Sequence, residues 1–553
     1  MTSPAHTNAQ AAERPDAHRP SPGEHEERRD GPHAAAGTTV AVLMVTWNRH
    51  ATARRAIESV LAQRGVDAAG IHLVVVDNAS TDGTTEQLAR WLDPERIVAN
   101  SAQEATEPRF AIDRDGGPNR VGLASVTLVR NACNLGGTGG FNTAFLAARA
   151  YLADPCAPEF LWLLDDDAVA DPHALGSLLA TAQAHPDAGL VGARAVDITD
   201  RRTTYETTIY YDPVQGRMAD TPHRGHRLGK AHAQWIERVG ATRGQGPYAG
   251  VVEVDVASAC CLLARWSILE RVGYWDARYF IYCDDADWCL RTARAGHRVL
   301  CDLDAVVYHT PWFQKLTPSR LYYAQRNAIW TMRKGLPAPA RRRATARWMV
   351  TLLRDSLAAA CKRRRVHAEI IRRTAHDAAT NRAGRLDLAE PPAEPIDQAL
   401  HRLRLDRPDA RVAILCNAPD HAPLAEAVAE HLRRGLGPRC PALLAVVRHD
   451  VAAPRGVPTL AYAPDRASRL RATAALVRRR VNACVVLNNT NDLPVRRCPI
   501  SLHVDHRNPT LAQAEADTLA GLAAFAVRWL STACIAAYYC LLPERAGPRA
   551  PFG

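Results

Sequence analysis

The chain has 553 residues, 47% apolar and 23% charged, proportions of a soluble globular protein too long for one small core; two or three domains are expected. Its net charge of +11 is uneven, with arginines crowded between Arg341 and Arg385 and the acidic motifs in the first half. No zinc-finger spacing or aromatic-plus-basic RNA motif accompanies that excess, which argues against nucleic acid as a partner. The 14 cysteines include no C-x-x-C pair, as suits reduced, buried thiols in a cytoplasmic protein.

Residues 1–37 lack an apolar signal core and read as a disordered tail. Order is expected from Thr38, where T-T-V-A-V-L-M-V-T forms a buried strand ended by W-N-R-H. The spacing of Ala56, Ile57, Val60 and Leu61 predicts a helix over 51–63. Ile71–Val76 is a second strand, stopped by D-N-A-S-T-D-G-T, and a helix follows over 84–91. The stretch 93–122 reads as irregular; Ser125–Val129 is a third strand, and a helix is expected over 141–152. Phe160–Leu164, five apolar residues, is a strand buried on both faces, and Asp165, Asp166 and Asp167 stand at its end. Strands alternating with helices predict a largely parallel sheet, whose ligands bind beyond the carboxyl ends of the strands.

Farther on, Val251–Val256 and Cys260–Ala264 read as strands, with short helices over 266–271 and 286–295. A strand over 298–308 leads into His309, and Leu321–Arg333 is an amphipathic helix. The segment 341–373, apolar residues between basic clusters, suits a helix lying on a membrane surface. After a Pro-rich linker at 390–395, strands at 411–416, 442–447 and 483–487 predict a small second α/β domain, without a catalytic cluster. Leu519–Leu542 is long enough to span a bilayer, but Arg528 and many alanines favour a buried or interfacial helix. The expected division is thus 1–37 tail, 38–335 catalytic domain, 336–395 basic helical segment and linker, and 396–553 small α/β domain.

Asp77, the three aspartates, Asp284, Asp285 and His309 all fall at strand ends or helix starts, so one cleft can gather them. Aspartates with one histidine suit Mn2+ or Mg2+, which keeps positions open for phosphate oxygens. The glycines Gly136, Gly137, Gly139 and Gly140 permit close backbone approach to a ligand, but the run is not G-x-G-x-x-G.

In order, V-T-W-N-R, V-D-N-A-S-T-D-G-T, N-L-G-G-T-G-G-F-N, L-L-D-D-D and F-I-Y-C-D-D-A-D-W-C-L-R resemble family 2 glycosyltransferases with the GT-A fold, over residues 38 to 335. They are most similar to the rhamnosyltransferase and galactofuranosyltransferase branch. The resemblance implies a UDP- or dTDP-sugar donor held by Thr46, Asn48, Asp77, Asn134, Gly136, Gly137, Asp165 and Asp166. It implies a metal on Asp167, Asp165 and His309, and Asp285 as general base in an inverting displacement. Asp284, Trp275 and Trp288 would meet the acceptor, a glycan or lipid-linked sugar of the cell envelope, with peripheral contact to the inner face of the cytoplasmic membrane. Cys283 and Asp284 depart from the residues frequent in those two branches, which leaves the donor sugar open. The competing expectation is a non-catalytic nucleotide- or carbohydrate-binding scaffold.

Overall fold

The computed structural model describes residues 37–103, 108–154, 157–315, 317–361, 364–388, 392–488, 493, 500–505, 508–516 and 519–542. Apart from Gly37, the expected tail lies outside them. In chain order the first half supplies β1 (Val40–Thr46), β2 (Ile71–Asp77), β3 (Arg96–Asn100), β4 (Phe110–Asp115), β5 (Ser125–Asn131), β6 (Phe160–Leu164), β7 (Val169–Ala170), β8 (Ala188–Asp197) and β9 (Thr204–Glu206). A small hairpin follows, β10 (Tyr210–Asp212) and β11 (Arg217–Ala219), then β12 (Val251–Val254), β13 (Cys261–Arg265) and β14 (Arg298–His309). All but the hairpin join one mixed sheet in the order β4-β3-β5-β2-β1-β6-β13-β8-β14-β12, with β7 on β14 and β9 on β8.

The register positions the site. Parallel pairing sets Thr46 opposite Asp77 and Leu43 opposite Leu163, so two more steps past β6 bring the aspartates level with the end of β1. Antiparallel β13 starts with Cys261 opposite Leu164, which delivers the 258–260 turn to the same edge. Tyr308 pairs with Val169, and His309, one residue on, arrives beside the aspartates. The strands are buried on both faces because helices cover both. Ala53 and Ile57 of His50–Leu61, with Leu175 and Leu178 of Ala174–Ala184, pack on Val42 and Met44. Phe141, Ala144 and Phe145 of Gly136–Leu152 pack on Leu43 and Val74 from the other side.

Two departures from the sequence reading have physical reasons. The irregular 93–122 stretch contains β3 and β4; β4 is a largely exposed edge strand, and an edge needs no apolar face to announce it. The helix expected from Phe141 begins at Gly136, taking in four glycines that weaken helix propensity. Tight packing requires two of them: a Cβ on Gly140 would sit 2.3 Å from Val45 Cγ1, and one on Gly136 would sit 2.2 Å from the Phe280 carbonyl oxygen.

Beyond the first sheet, Pro318–Gly335 leads into two helices, Ala338–Cys361 and Arg365–Thr380, where one surface helix was expected. Trp348, Met349 and Leu352 do not face outward for a membrane; they pack with Met332, Ala375 and Tyr539, and the Trp348 indole donates to the Gln215 carbonyl at 2.7 Å. The second sheet holds β15 (Glu394–Pro395), β16 (Arg411–Cys416), β17 (Ala442–Arg448), β18 (Thr459–Tyr462), β19 (Ala483–Leu487), β20 (Ile500–Asp505) and β21 (Asn508–Ala516). Their order is β15-β21-β20-β19-β16-β17-β18, with β18 through β20 parallel. The final helix, Leu519–Leu541, lies against the two preceding long helices, and its Trp529 indole donates to the Leu353 carbonyl at 3.0 Å.

Candidate active site

Acidic groups gather where β1, β6 and β14 end and β13 begins. The Thr46 hydroxyl donates to Asp166 Oδ2 at 2.8 Å, tying the end of β1 to the aspartate turn. The Arg49 guanidinium spans Asp166 at 3.2 Å and Asp167 at 2.9 Å. Asp166 is buried, and that burial pushes its carboxyl up to about 6. Its partners make it the bracket between the two strand ends.

Asp165, Asp167 and His309 each offer a ligand atom, and these atoms lie within 4.8 Å of one another. His309 Nε2 is 3.0 Å from Asp167 Oδ1 and 3.8 Å from Asp165 Oδ2. Its Nδ1 is 2.8 Å from the Tyr205 hydroxyl, which fixes the ring so that Nε2 faces the acids. Lys315 Nζ lies 2.8 Å from Asp167 Oδ2 and 2.7 Å from His309 Nε2. Nε2 thus lies between an acid, Asp167, and a cation, Lys315. The position already brings one cation close to a carboxylate oxygen and an imidazole nitrogen. Two carboxylate oxygens and one imidazole nitrogen also fit a divalent ion with open positions. Burial would raise Asp167, but the hydrogen bond and charge of His309, with Lys315, hold it below the usual carboxylate range. Asp165 goes the other way, raised by burial.

Opposite them, the helix Asp284–Arg294 starts after a strained loop. Phe280, Tyr282 and Cys283 hold φ of 66°, 70° and 62°, the left-handed region that side chains avoid. Arg326 and Asn327 hold that loop: Arg326 Nη2 donates to the carbonyls of Arg278 and Tyr279, and Asn327 Nδ2 to those of Ile281 and Tyr282, both at 2.8 Å. Asp284 is buried and accepts from the Thr138 hydroxyl at 2.6 Å; burial, then the Asp285 charge, pushes it up to about 7. Asp285 is half-buried and accepts from the backbone N–H groups of Ala259 at 3.3 Å and Ala286 at 2.7 Å. Burial raises its pKa, and the charge of Asp165 adds to the rise. Asp287 is spoken for by Lys334 at 2.8 Å and Arg291 at 2.9 Å.

Other expected residues take structural places. The Asp77 carboxylate accepts from the hydroxyls of Ser80 and Thr85 and from the Ser80 N–H, so its own turn engages both oxygens. The Asn48 Oδ1 accepts from the Thr81 N–H at 2.7 Å and its N–H donates to Ser80, stitching the first two strand ends together. Asn134 caps the Gly136 N–H at 2.9 Å, and buried Asn78 donates to the Gly136 carbonyl. A Cβ on Gly137 would only touch Ile281 at 3.9 Å; that glycine alone of the pair has room beside it. Trp275 and Trp288, expected at the acceptor, are in the core instead. Trp288 is 0% exposed with its indole on the Gly273 carbonyl, and Trp275 packs on Phe141 and Phe145. Sequence reasoning missed Arg49, Tyr205 and Lys315; the W-N-R run held Arg49 in view, whereas Tyr205 and Lys315 carry no pattern.

Residues 118–333 match the family described as Glycosyltransferase like family 2, and residues 41–104 match Glycosyl transferase family 2. No curated protein matches the chain. Solved structures similar to it include S. aureus TarS, at 14% identity and TM-score 0.33 over 56% of this chain and 43% of that one. GalNAc-T7 with UDP, GalNAc and Mn2+ has 13% identity and TM-score 0.36, over 53% and 47% of the two chains. The mannosyltransferase PcManGT from Pyrobaculum calidifontis, in complex with GDP-Man and Mn2+, has 17% identity and TM-score 0.35, over 65% and 80%. The chain spans less than half the length of the first two.

Proposed function

The chain belongs to glycosyltransferase family 2 through residues 41–104 and 118–333, and from that premise we propose a metal-dependent, inverting sugar transfer from a nucleoside diphosphate donor. The observation that carries the reading is the convergence of Asp165, Asp167 and His309, with Asp285 near enough to Asp165 to feel its charge. Asp165, Asp167 and His309 would hold Mn2+ or Mg2+, which when bound offsets charge on the departing diphosphate. Asp285 takes the proton from the acceptor hydroxyl, whose oxygen then bonds to the anomeric carbon as the bond to the diphosphate breaks. A raised carboxyl suits a base that works near neutral pH. Asp284, drawn inward by Thr138, is the less accessible of the two. A single displacement inverts the anomeric centre.

The donor is a UDP- or dTDP-sugar, rhamnosyl or galactofuranosyl, and the acceptor a glycan or lipid-linked glycan of the cell envelope. Peripheral membrane contact on the cytoplasmic side fits Ala520–Leu541, the helix among the described residues that is long and apolar enough to cross a membrane, with 22% of its apolar window buried. The test is a product-release assay with Mn2+ or Mg2+ across a panel of UDP- and dTDP-sugars. Nucleoside diphosphate release that Asp167→Ala abolishes is the expected result. No release from any donor, together with donor binding unaffected by that substitution, sinks the reading in favour of a binding scaffold.

A further inference from the structure

A cluster of basic side chains lies away from the cleft, at the seam between the helix Arg365–Thr380 and the second sheet. Arg364 stands just before that helix, His367 lies in its first turn, and His503 projects from β20. Arg364 Nε, His367 Nδ1 and His503 Nδ1 are all buried, and none has a hydrogen-bond partner. His503 itself is only 8% exposed. Its Nε2 is 3.1 Å from the Ser501 hydroxyl, which can donate there and leave the proton on the unpartnered Nδ1.

Buried polar groups are nearly always paired, and a buried charge without a counter-charge is costly. Among the described residues the acid acting on Arg364 is Glu515, and its Oε2 already accepts the N–H groups of Arg365 at 2.5 Å and Val366 at 3.3 Å. Glu515 on β21 stands opposite Ser501, so the start of this helix meets the part of β20 that carries His503; among the described residues none of the three buried nitrogens has a partner there, and the helix dipole also favours negative charge. We propose that Arg364, His367 and His503 form a binding site for a phosphoryl anion, separate from the catalytic cleft. Burial, and after it the Arg364 charge, hold both imidazoles down to about 3, so near neutral pH each is uncharged and can offer one N–H beside the Arg364 cation. The phosphoryl group is either a soluble phosphate or a lipid headgroup. The helix Leu519–Leu541, which follows β21 and its Glu515, exposes Val527, Leu530 and Tyr538, so an apolar surface belongs to the same region.

Thermal melting of the full chain with inorganic phosphate tests this, with Arg364→Met and His503→Phe as variants. In phosphate-free buffer Arg364→Met should melt higher than the parent, because a partly desolvated charge whose acid, Glu515, is already engaged by backbone N–H groups is gone. Added phosphate should raise the parent's midpoint and close or reverse that gap, with phosphate affinity roughly tenfold or more weaker in both variants. Co-sedimentation with phosphatidic acid vesicles but not phosphatidylcholine vesicles, lost in both variants, would assign the headgroup as the source; a phosphate response alone would assign the soluble anion. A parent that responds to neither probe overturns the proposal. So does a phosphate response that both variants retain, since it then belongs to the catalytic cleft.

Discussion

The two sheets have the same arrangement around their first strand and differ in what they carry there. In the first, β1 lies between β2 and β6; in the second, β16 lies between β17 and β19. Each therefore has a switch point, the crevice where α/β sheets bind ligands. A side-chain hydrogen bond crosses both crevices: Thr46 to Asp166 at 2.8 Å in one, Asn488 to Asp420 at 2.6 Å in the other. Around the first crossing stand Arg49, Asp165, Asp167, His309, Lys315 and Asp285, several with displaced protonation. Around the second, Asp420 is met by an uncharged amide. Topology supplies a crevice twice; among the described residues, acids and a histidine gather at only one of them.

The largest effect that would break this contrast lies at Asp285. Asp285→Asn should lower turnover by about 10²–10⁴-fold, the range for losing a general base, with donor affinity unchanged in a binding titration. Loss of donor binding to the same degree would make Asp285 a fold residue. His309→Ala should weaken Mn2+ binding by roughly 10–100-fold, read by electron spin resonance, and Tyr205→Phe by less, since Tyr205 acts only through the ring it orients.

Lys315 sharpens the same point. It contacts Asp167 and His309 at the place a divalent ion would need, so in the nucleotide-free protein it competes with the ion. Lys315→Ala should tighten Mn2+ binding, by roughly threefold to tenfold for a half-buried pair, while weakening the donor, whose diphosphate loses a cation. Movement of both affinities in the same direction would contradict the competition.

Much of this was legible in the chain itself. The strands β1 and β6 read as unbroken apolar runs and β2 and β5 as mostly apolar ones because both faces are buried, and the acids at the ends of β2 and β6 followed from the parallel alternation. Even the three central strands of the second sheet were visible for that reason. Edge strands such as β4 were not, because one partner and a wet face leave no periodic mark. The site was readable as acids and a histidine in sequence order, but not as contacts. Trp275 and Trp288 each directly neighbour an acidic residue, Asp276 and Asp287, and are still buried in the core, so closeness in sequence to an acid did not place them at the cleft. Arg326 and Asn327 are on a helix with ordinary amphipathic spacing, and only the strained loop they grip reveals their task.

Stability gives a smaller test. Asp284 has an ordinary carboxyl value of 3.8 and is raised to about 7 in the fold, chiefly by burial. Between those values the folded chain binds more protons than the unfolded one, so stability falls as pH rises from about 4 to about 7. Asp284→Asn should flatten that slope and raise stability above pH 7 by roughly 1–3 kcal/mol, in thermal melts at stepped pH. A variant whose melting profile keeps the parent's slope would remove Asp284 as the source.

The smallest expected effect probes the second crevice. Asp420 is exposed to solvent and its one side-chain partner is Asn488, an amide rather than a charge. Asp420→Ala then removes a hydrogen bond worth about 0.5–1.5 kcal/mol and leaves no buried charge behind. The proposed sugar transfer, assigned to residues on the other sheet, should stay within about twofold of the parent. The matched substitution in the first crevice, Thr46→Val, deprives buried Asp166 of its hydroxyl donor and should lower both stability and donor affinity. If Asp420→Ala instead cut turnover as deeply as Thr46→Val, the second crevice would take part in the reaction, and the two sheets would have to be read as one site's two walls.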